Sequence, residues 1–330
     1  MERREFIKSA AITALASTLT QHADALDPVS GIPYRTLGRT GAKVSLVGIG
    51  GHHIGRNYVS EADGVKIVRT GLDAGINFLD NCWDYNNGLS EERMGRALKD
   101  GYRQKAFLMT KIDGRTAKSA QEQLEQSLSR LQTNHIDLIQ CHEVIRMNDP
   151  ERIFASGGVL EYLEKARKEG KVRFIGFTGH KSPEIHLHMI ETATKHNYTF
   201  DTVQMPLNAM DAHFDSFASK VIPEAKKRNM GILGMKPMGD GVILKSKTVT
   251  PVECLRYAMN LPISVVITGC DSMQILNQAI DTARNFRGLS QAEVAAILQK
   301  TETVAMKGEF ELYKTSHNFD GTYKNPQWLG

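Results

Sequence analysis

The chain has few cysteines, and they form no recognisable pattern. Four of them are spread over 330 residues without a C-x-x-C pair, namely Cys82, Cys141, Cys254 and Cys270. Disulfide frameworks and zinc motifs both depend on characteristic cysteine spacings. Histidine is also a zinc ligand, but the pair His52-His53 has no carboxylate or cysteine at the spacing of a zinc site. We therefore expect buried free thiols rather than a disulfide framework, and no metal site.

Long apolar runs and blocks of like charge are also missing. No apolar stretch in the sequence is long enough to span a bilayer. The 41 Lys and Arg residues are spread along the chain and are nearly balanced by 37 Asp and Glu residues, which leaves a net charge of +4. We therefore expect neither a membrane nor a nucleic acid as a partner.

The first strand candidate lacks the G-x-G-x-x-G motif of a dinucleotide-binding open sheet. The chain instead alternates short apolar runs with amphipathic helical patterns. The strand candidates are 46–50, 77–80, 106–110, 136–141, 172–178, 202–205, 231–235 and 264–268. The helical patterns are 62–73, 90–98, 119–131, 160–168, 183–194, 221–228, 251–260 and 273–284. Eight such units predict an α/β fold of the (β/α)8 TIM-barrel type, preceded by a β-hairpin at 35–45.

The first 25 residues differ from the rest. Arg3-Arg4 is followed by a mild apolar stretch at 10–18 and by Ala23-Asp24-Ala25. A basic start, an apolar centre and an A-x-A end are typical of a secretory signal. The arginine pair resembles a twin-arginine signal, which would send the folded protein to the periplasm. If the segment is instead an uncleaved extension, we expect a cytoplasmic protein.

The remaining chain divides into two parts. We expect residues 34–306 to form the barrel, with one more helix near its end at about 291–306. Residues 307–330 are rich in aromatic side chains, which is unusual for a disordered segment. We therefore expect this tail to pack on the barrel.

Residues suited to proton transfer follow three predicted strands. Asp80 ends the second strand, Tyr85 lies in the next loop, and Lys111 and His142 follow the third and fourth strands. In such a barrel these side chains meet at one mouth. A phenol has a pKa of about 10, and we expect the Lys111 ammonium, held by Asp80, to lower it. His142 would orient a carbonyl oxygen that Tyr85 protonates while a hydride reaches its carbon.

The segment 75–85, Gly-Ile-Asn-Phe-Leu-Asp-Asn-Cys-Trp-Asp-Tyr, with Ser90-Glu91 after it, resembles the signature of the aldo-keto reductases. Members of that family carry an aspartate, a tyrosine five residues later, and a lysine and a histidine at the next two strand ends. The resemblance extends over roughly 34–287. It implies a (β/α)8 barrel, a nicotinamide cofactor bound without a Rossmann domain, and reduction of aldehydes or ketones. Tyr85 would be the general acid.

The cofactor contacts that the resemblance implies match less evenly. Gln204 matches the family glutamine that contacts the carboxamide of the cofactor. The family often has a Ser-Asn pair after strand five, and there Thr178 keeps the hydroxyl while the amide is missing. A Gly-rich loop and a helix N-terminus after strands seven and eight predict a phosphate site. Its candidate residues are Lys236, Gly269, Asp271 and Ser272. Family habit favours NADP, but many relatives place an arginine where this chain has Asp271, so NAD stays possible.

Several assignments keep an alternative. His52 and Trp83 are predicted to line the pocket for a small carbonyl substrate, although Trp83 can instead pack under the tail. Lys236 reaches the cofactor phosphate or lies at the rim. The leading function is an NAD(P)H-dependent carbonyl reductase. The alternatives are an aldolase-type lyase with an imine on Lys111 or Lys236, and a non-catalytic nucleotide-binding subunit.

Overall fold

The computed structural model describes residues 25–26 and 30–330. The predicted export signal therefore lies outside the described residues, apart from its last residue, Ala25. None of the described helices is long and apolar enough to cross a membrane.

Eight parallel strands form a closed barrel in sequence order. They are β4 (Val47–Gly50), β5 (Phe78–Asp80), β6 (Phe107–Ile112), β7 (Ile136–Cys141), β8 (Val172–Thr178), β9 (Thr202–Pro206), β10 (Gly231–Met235) and β11 (Val265–Gly269). β11 pairs with β4 and closes the ring. Most strand residues are buried, because helices cover the outer face and side chains fill the interior. The predicted (β/α)8 barrel is confirmed.

The predicted N-terminal hairpin is also confirmed. β2 (Pro33–Thr36) and β3 (Lys43–Ser45) pair antiparallel, and β1 (Ala25–Leu26) adds a third strand beside β2. Leu37 and Val44 join the apolar cluster inside the barrel. Leu37 also lies against the start of β10 at Gly231. The hairpin thus closes the N-terminal end of the barrel and leaves the opposite end for a site.

Helices surround the barrel. They are α1 (Gly51–Ile54), α2 (Glu61–Asp73), α3 (Leu89–Ala97), α4 (Ala117–Leu131), α5 (Asp149–Phe154), α6 (Val159–Lys168), α7 (Pro183–Lys195), α8 (Phe217–Lys227), α9 (Pro251–Asn260), α10 (Met273–Arg284) and α11 (Gln291–Ala305). Seven of them begin after a Ser or Thr whose hydroxyl accepts a backbone N–H, at positions 60, 116, 182, 216, 250, 272 and 290. These caps satisfy donors that a helix start leaves free.

The tail runs over the top of the barrel. It contains the short helices α12 (Leu312–Thr315) and α13 (Gly321–Lys324). The carbonyl of Leu329, near the end of the tail, accepts a bond of 2.8 Å from the backbone N–H of Arg115. The Gln123 side chain donates to the carbonyl of Trp328, also at 2.8 Å. These bonds tie the tail to the loop after β6 and to helix α4.

Candidate active site

A cavity of about 620 Å³ opens at the C-terminal ends of the barrel strands. Its size is typical of a small-molecule site. Nine of the residues assigned from the sequence line it: His52, Asp80, Tyr85, Lys111, His142, Thr178, Lys236, Gly269 and Asp271. The barrel therefore brings together the residues on which the proton-transfer hypothesis depends.

The Lys111 ammonium lies at the centre of this group. Its Nζ donates to Asp80 Oδ1, to the carbonyl of Asn81 at 2.7 Å and to the hydroxyl of Tyr85 at 3.2 Å. Asp80 is fixed in turn, because its Oδ2 accepts a bond of 2.9 Å from the Gln204 amide. An ammonium has three protons and no acceptor, so all three of its donors are used. Lys111 therefore keeps a single position beneath the phenol.

The pKa of Tyr85 differs from the sequence-based expectation. Burial raises the pKa of Tyr85 well above its usual range, and the nearby Asp80 and Asp84 carboxylates raise it further. Any lowering of this pKa by Lys111, as expected from the sequence, is therefore outweighed. The physical reason is that desolvation disfavours a phenolate and that Asp80 already neutralises the ammonium. Tyr85 consequently holds its proton at neutral pH.

His142 faces a small buried cluster of acidic groups. Its Nδ1 lies 2.9 Å from Asp113 Oδ1 and 3.2 Å from the sulfur of Cys82, and 3.7 Å from Asp84 Oδ1. Burial lowers the pKa of His142, although Asp84 and other carboxylates oppose the shift. Burial raises the pKa of Asp113 to about 8 and that of Asp84 to about 7. The histidine is therefore neutral at pH 7, and its Nδ1 is engaged away from Tyr85.

A polar strap closes one side of the cavity. Asp240, in the loop after β10, accepts bonds from Arg56 at 2.6 and 2.8 Å and from His53 at 2.9 Å. The Tyr58 hydroxyl donates to Asp271, in the loop after β11, at 2.8 Å. The loop after β4 thereby bridges the loops that follow β10 and β11. Burial and the charge of His53 together lower the pKa of His52 to about 3, so this histidine is neutral.

The tail closes another side. Glu143, next to His142, accepts bonds from the backbone N–H groups of Gly321 and Thr322, both at 2.7 Å. The buried Asp320 pairs with His180 at 2.9 Å, with Lys181 at 2.8 Å and with His317 at 2.7 Å. The tail residues that reach the cavity are Asn318, Phe319, Gly321 and Lys324. We call the contacts of Glu143 and Asp320 the tail latch.

Comparisons with known proteins agree with this fold and identify its family. Residues 46–295 match the family model described as the aldo/keto reductase family. The chain belongs to this family. It is 28% identical to L-galactose dehydrogenase of Arabidopsis thaliana over 325 residues, which covers 83% of this chain and 96% of the relative. It is 29% identical to the aldo-keto reductase YhdN of Bacillus subtilis over 214 residues, which covers 61% of this chain and 60% of the relative.

Solved structures agree on the fold of this aldo/keto reductase. The holo form of aldo-keto reductase AKR11C1 from Bacillus halodurans superposes with a TM-score of 0.68 at 22% identity, covering 82% of this chain and 96% of that one. Oxidoreductase chemistry thus follows from the family.

Unpartnered polar atoms indicate where the reductase can hold a nicotinamide. Gln204 Oε1, Thr178 Oγ1 and Thr268 Oγ1 are buried and have no hydrogen-bond partner among the described residues. Such atoms are rare in folded proteins and call for a ligand or a water. Gln204 and Thr178 come from neighbouring strands, and a carboxamide carries both a donor and an acceptor. Thr178 lines the cavity, whereas Gln204 does not. The polar atoms of both residues suit the carboxamide of a nicotinamide cofactor.

The phosphate end of the predicted cofactor site has mixed support. The Lys236 ammonium lies 4.7 Å from the centre of the Phe319 ring, and burial lowers the pKa of Lys236. Ser272 caps helix α10 by accepting from the N–H of Ile275 at 3.3 Å, and it does not line the cavity. A helix N-terminus and an ammonium facing one cavity suit an anionic group.

Trp83 does not line the substrate pocket, as the sequence analysis had predicted it would. Its ring packs edge-on against Trp328 at 5.6 Å between centroids, and its Nε1 donates to Gln126 at 2.7 Å. It is not among the residues that line the cavity. The structure therefore places Trp83 under the tail, which is the alternative that the sequence left open.

The sequence analysis missed several residues of the site. Asp113, Glu143 and His180 surround His142 and the tail, while Arg56 and Asp240 form the strap. The first three had a local signal, because each lies within two positions of an assigned residue at a strand end. Arg56 and Asp240 lie 184 positions apart in the sequence, so no short-range pattern predicts their pairing.

Proposed function

We propose that this aldo/keto reductase is an NAD(P)H-dependent oxidoreductase that reduces the carbonyl group of an aldehyde or ketone, and that oxidises the alcohol in reverse. Tyr85 acts as the general acid. One observation carries the proposal: the Tyr85 oxygen accepts a hydrogen bond from Lys111. Because an ammonium cannot accept a proton, the phenolic hydrogen is left to point to another acceptor.

The proton step follows from this arrangement. A substrate carbonyl oxygen beside Tyr85 gains negative charge as its carbon is reduced, and an alkoxide is a much stronger base than a phenolate. The transfer from Tyr85 is therefore favourable even though the pKa of this residue is raised. The phenolate that forms lies 3.2 Å from the Lys111 ammonium, which stabilises it until a proton returns. Lys111 thus stabilises the Tyr85 phenolate that the proton transfer produces.

His142 provides the second contact to the oxygen. Its Nδ1 is occupied by Asp113, so Nε2 is the nitrogen that can face a ligand. The rings of His142 and Tyr85 meet edge-on with centroids 5.9 Å apart. One carbonyl oxygen can therefore be held between the imidazole and the phenol.

The cofactor, when bound, supplies the hydride that the chain itself cannot provide. Gln204 and Thr178 would hold its carboxamide. Lys236 and the start of helix α10 would face its phosphates, and the strap at Asp240 would close over it. The assay that tests the proposal is a fluorescence titration with NADPH and with NADH, followed by a panel of carbonyl compounds. Cofactor binding without any oxidation of it would instead favour the nucleotide-binding subunit.

The lyase alternative is weakened by the state of Lys111. An imine requires a neutral, free amine, whereas the Lys111 ammonium is paired with Asp80 and donates three bonds. Lys236 is the other candidate, since burial lowers its pKa. Borohydride reduction in the presence of an aldehyde, followed by mass spectrometry, separates the two functions. We expect no adduct on either lysine.

The cavity favours a polar substrate. Its lining carries hydrogen-bonding groups beyond those of the proton step, including Asn86, Glu143, His180 and Lys324. The similarity to L-galactose dehydrogenase points in the same direction, since the substrate in that name is a sugar. We therefore propose a hydroxylated carbonyl compound or its cyclic form. In the carbonyl panel, aldoses should be turned over with higher kcat/KM than alkyl aldehydes of equal carbon number.

A further inference from the structure

Four side chains with metal-binding atoms meet behind the catalytic histidine. They are Cys82, Asp84, Asp113 and His142, and one donor atom from each lies within 4.8 Å of the other three. They come from the loop after β5 and from the ends of β6 and β7. This group is called the Cys-Asp-Asp-His cluster below.

The hydrogen bonding within the cluster is incomplete. Three polar side-chain atoms converge on the single Nδ1 of His142: Asp113 at 2.9 Å, Cys82 at 3.2 Å and Asp84 at 3.7 Å. A ring nitrogen forms one hydrogen bond, as donor or as acceptor according to the tautomer. Asp113 is completely buried, and its Oδ2 has no partner among the described residues. Asp84 Oδ1 also lacks a hydrogen bond.

The neighbouring cations do not neutralise the two carboxylates. Lys111 donates to Asp80, Asn81 and Tyr85. Arg115 donates to the backbone carbonyl of Asp113 at 2.6 Å and to Asp149 at 3.1 Å. Within the described ranges, no Lys or Arg forms an ion pair with Asp84 or Asp113. A buried carboxyl group without a cationic partner is costly to ionise, and a bound cation removes that cost.

We propose that the Cys-Asp-Asp-His cluster is a site for one divalent transition-metal ion of the zinc type. One sulfur, one nitrogen and two carboxylate oxygens form a donor set that suits zinc and excludes calcium or magnesium, which prefer oxygen ligands alone. Donor atoms around a tetrahedral zinc ion lie about 3.3–3.8 Å apart, so the observed separations need only small side-chain shifts. Asp84 and His142 line the cavity, which gives the ion a route of entry.

The ion changes His142 in a defined way. Binding at Nδ1 displaces any proton from that nitrogen and leaves the ring proton on Nε2, while protons held by Cys82 and the carboxyls are released. His142 then presents an N–H donor toward the cavity. This consequence rests on the proposed function, in which a carbonyl oxygen lies there. The binding of the ion itself does not rest on it.

The test is a metal titration of the full chain without an affinity tag, after treatment with a chelator and removal of the chelator. Cobalt(II) should bind once per chain and give visible bands together with a near-ultraviolet thiolate-to-metal charge-transfer band. Zinc(II) should then displace cobalt and abolish both signals. Cys82→Ser should remove the charge-transfer band and Asp113→Asn should weaken binding by more than about 100-fold, because a direct ligand matters at least as much as an outer-shell partner.

Two controls make the result specific. Cys270→Ser removes another buried thiol, and His53→Asn removes a cavity histidine outside the cluster; both should bind cobalt as the unmodified chain does. Thermal unfolding of each variant identifies any that fail to fold. If Cys82→Ser or Asp113→Asn fails to fold, Asp84→Asn takes its place and should weaken cobalt binding. Absence of the charge-transfer band in the unmodified chain, or its survival in Cys82→Ser, would overturn the proposal. Because no cofactor or substrate is present, the outcome is independent of the reductase activity.

Discussion

Lys111 connects most of the chemistry at the residue scale. Its three bonds fix Asp80 on one side and the Tyr85 oxygen on the other. The order of Asp80, Tyr85, Lys111 and His142 at strand ends was sufficient to predict that they meet. The direction of the Tyr85 pKa was not predictable, because it depends on burial and on several carboxylates that the fold brings close.

The coupling between Lys111 and Asp80 yields a first prediction. Lys111→Met should lower kcat roughly 10²–10⁴-fold, because the phenolate loses the ammonium that is hydrogen-bonded to it. Asp80→Asn should lower kcat less, and the double variant should be no worse than Lys111→Met alone, since Asp80 acts by holding Lys111. Steady-state kinetics of the three variants check this. Lys105→Met, in an exposed pair with Asp73, is the control and should change nothing. Additive losses in the double variant would contradict the coupling.

Asp271 yields a second prediction, on cofactor choice. Its carboxylate lines the cavity and is held by the Tyr58 hydroxyl, at the position where the family resemblance places an arginine for the 2′-phosphate. Asp271→Asn should therefore improve NADPH affinity relative to NADH by about tenfold, which is about 1.4 kcal/mol of repulsion removed. Fluorescence titration with both cofactors measures the ratio. An unchanged ratio would mean that the carboxylate does not face the 2′ position.

At the scale of elements, the strands and long helices were predictable and the short ones were not. The eight apolar runs all became barrel strands, because a parallel strand buried on both faces is continuously apolar. The structure adds the four-residue helix α1 and the six-residue helix α5. Each is too short to display a helical period. The path of the tail depends on Asp320 meeting His180 across 140 positions, and no local pattern contains that pairing.

The tail latch yields a third prediction, on how the packing of the tail responds to low pH. Burial alone would raise the pKa of Asp320, but bonds from His180 and Lys181 lower it overall, and His317 adds to the effect. A carboxyl whose pKa is depressed by folding stabilises the fold fully above its unfolded pKa of about 4, and that stabilisation is lost as the pH falls further. Burial also lowers the pKa of His180. Protonation of His180 therefore destabilises the fold as the pH falls, as protonation of Asp320 does.

Tryptophan emission can follow the latch, because the only two tryptophans of the sequence, Trp83 in the barrel and Trp328 in the tail, contact each other. Emission should shift to longer wavelength as the pH falls below about 4. Asp320→Asn should show part of that shift already at pH 6, since it removes about 1–3 kcal/mol of buried bonding. The exposed Asp281→Asn is the matched control. If Asp320→Asn and Asp281→Asn follow the same pH curve, the latch does not hold the tail.

At the scale of the whole molecule, the barrel leaves one end for chemistry and closes the other with the hairpin. The sequence was sufficient for this architecture because each of its eight units repeats the same pattern. It was not sufficient for the wall of the cavity, which is built by loops and by the tail from residues far apart in the sequence.

We propose that residues 1–25 are a twin-arginine export signal, which would determine where the molecule acts. Replacing Arg3 and Arg4 together by lysine should retain the protein in the cytoplasm, because the export machinery reads the arginine pair. Fractionation of cells expressing each form, with immunoblotting of both fractions, measures this. Equal distribution of the two forms between the fractions would refute the export proposal.

Proton donation by Tyr85 is the central claim, and Tyr85→Phe tests it most directly. This change removes one hydroxyl and keeps the ring that packs beside His52 and His142. We predict that kcat for carbonyl reduction falls roughly 10²–10⁴-fold while the dissociation constant of the cofactor stays nearly unchanged. Tyr102→Phe, whose hydroxyl bonds Asp73 outside the cavity, should keep the full rate. A Tyr85→Phe variant that reduces the substrate at the rate of the unmodified chain would contradict the account.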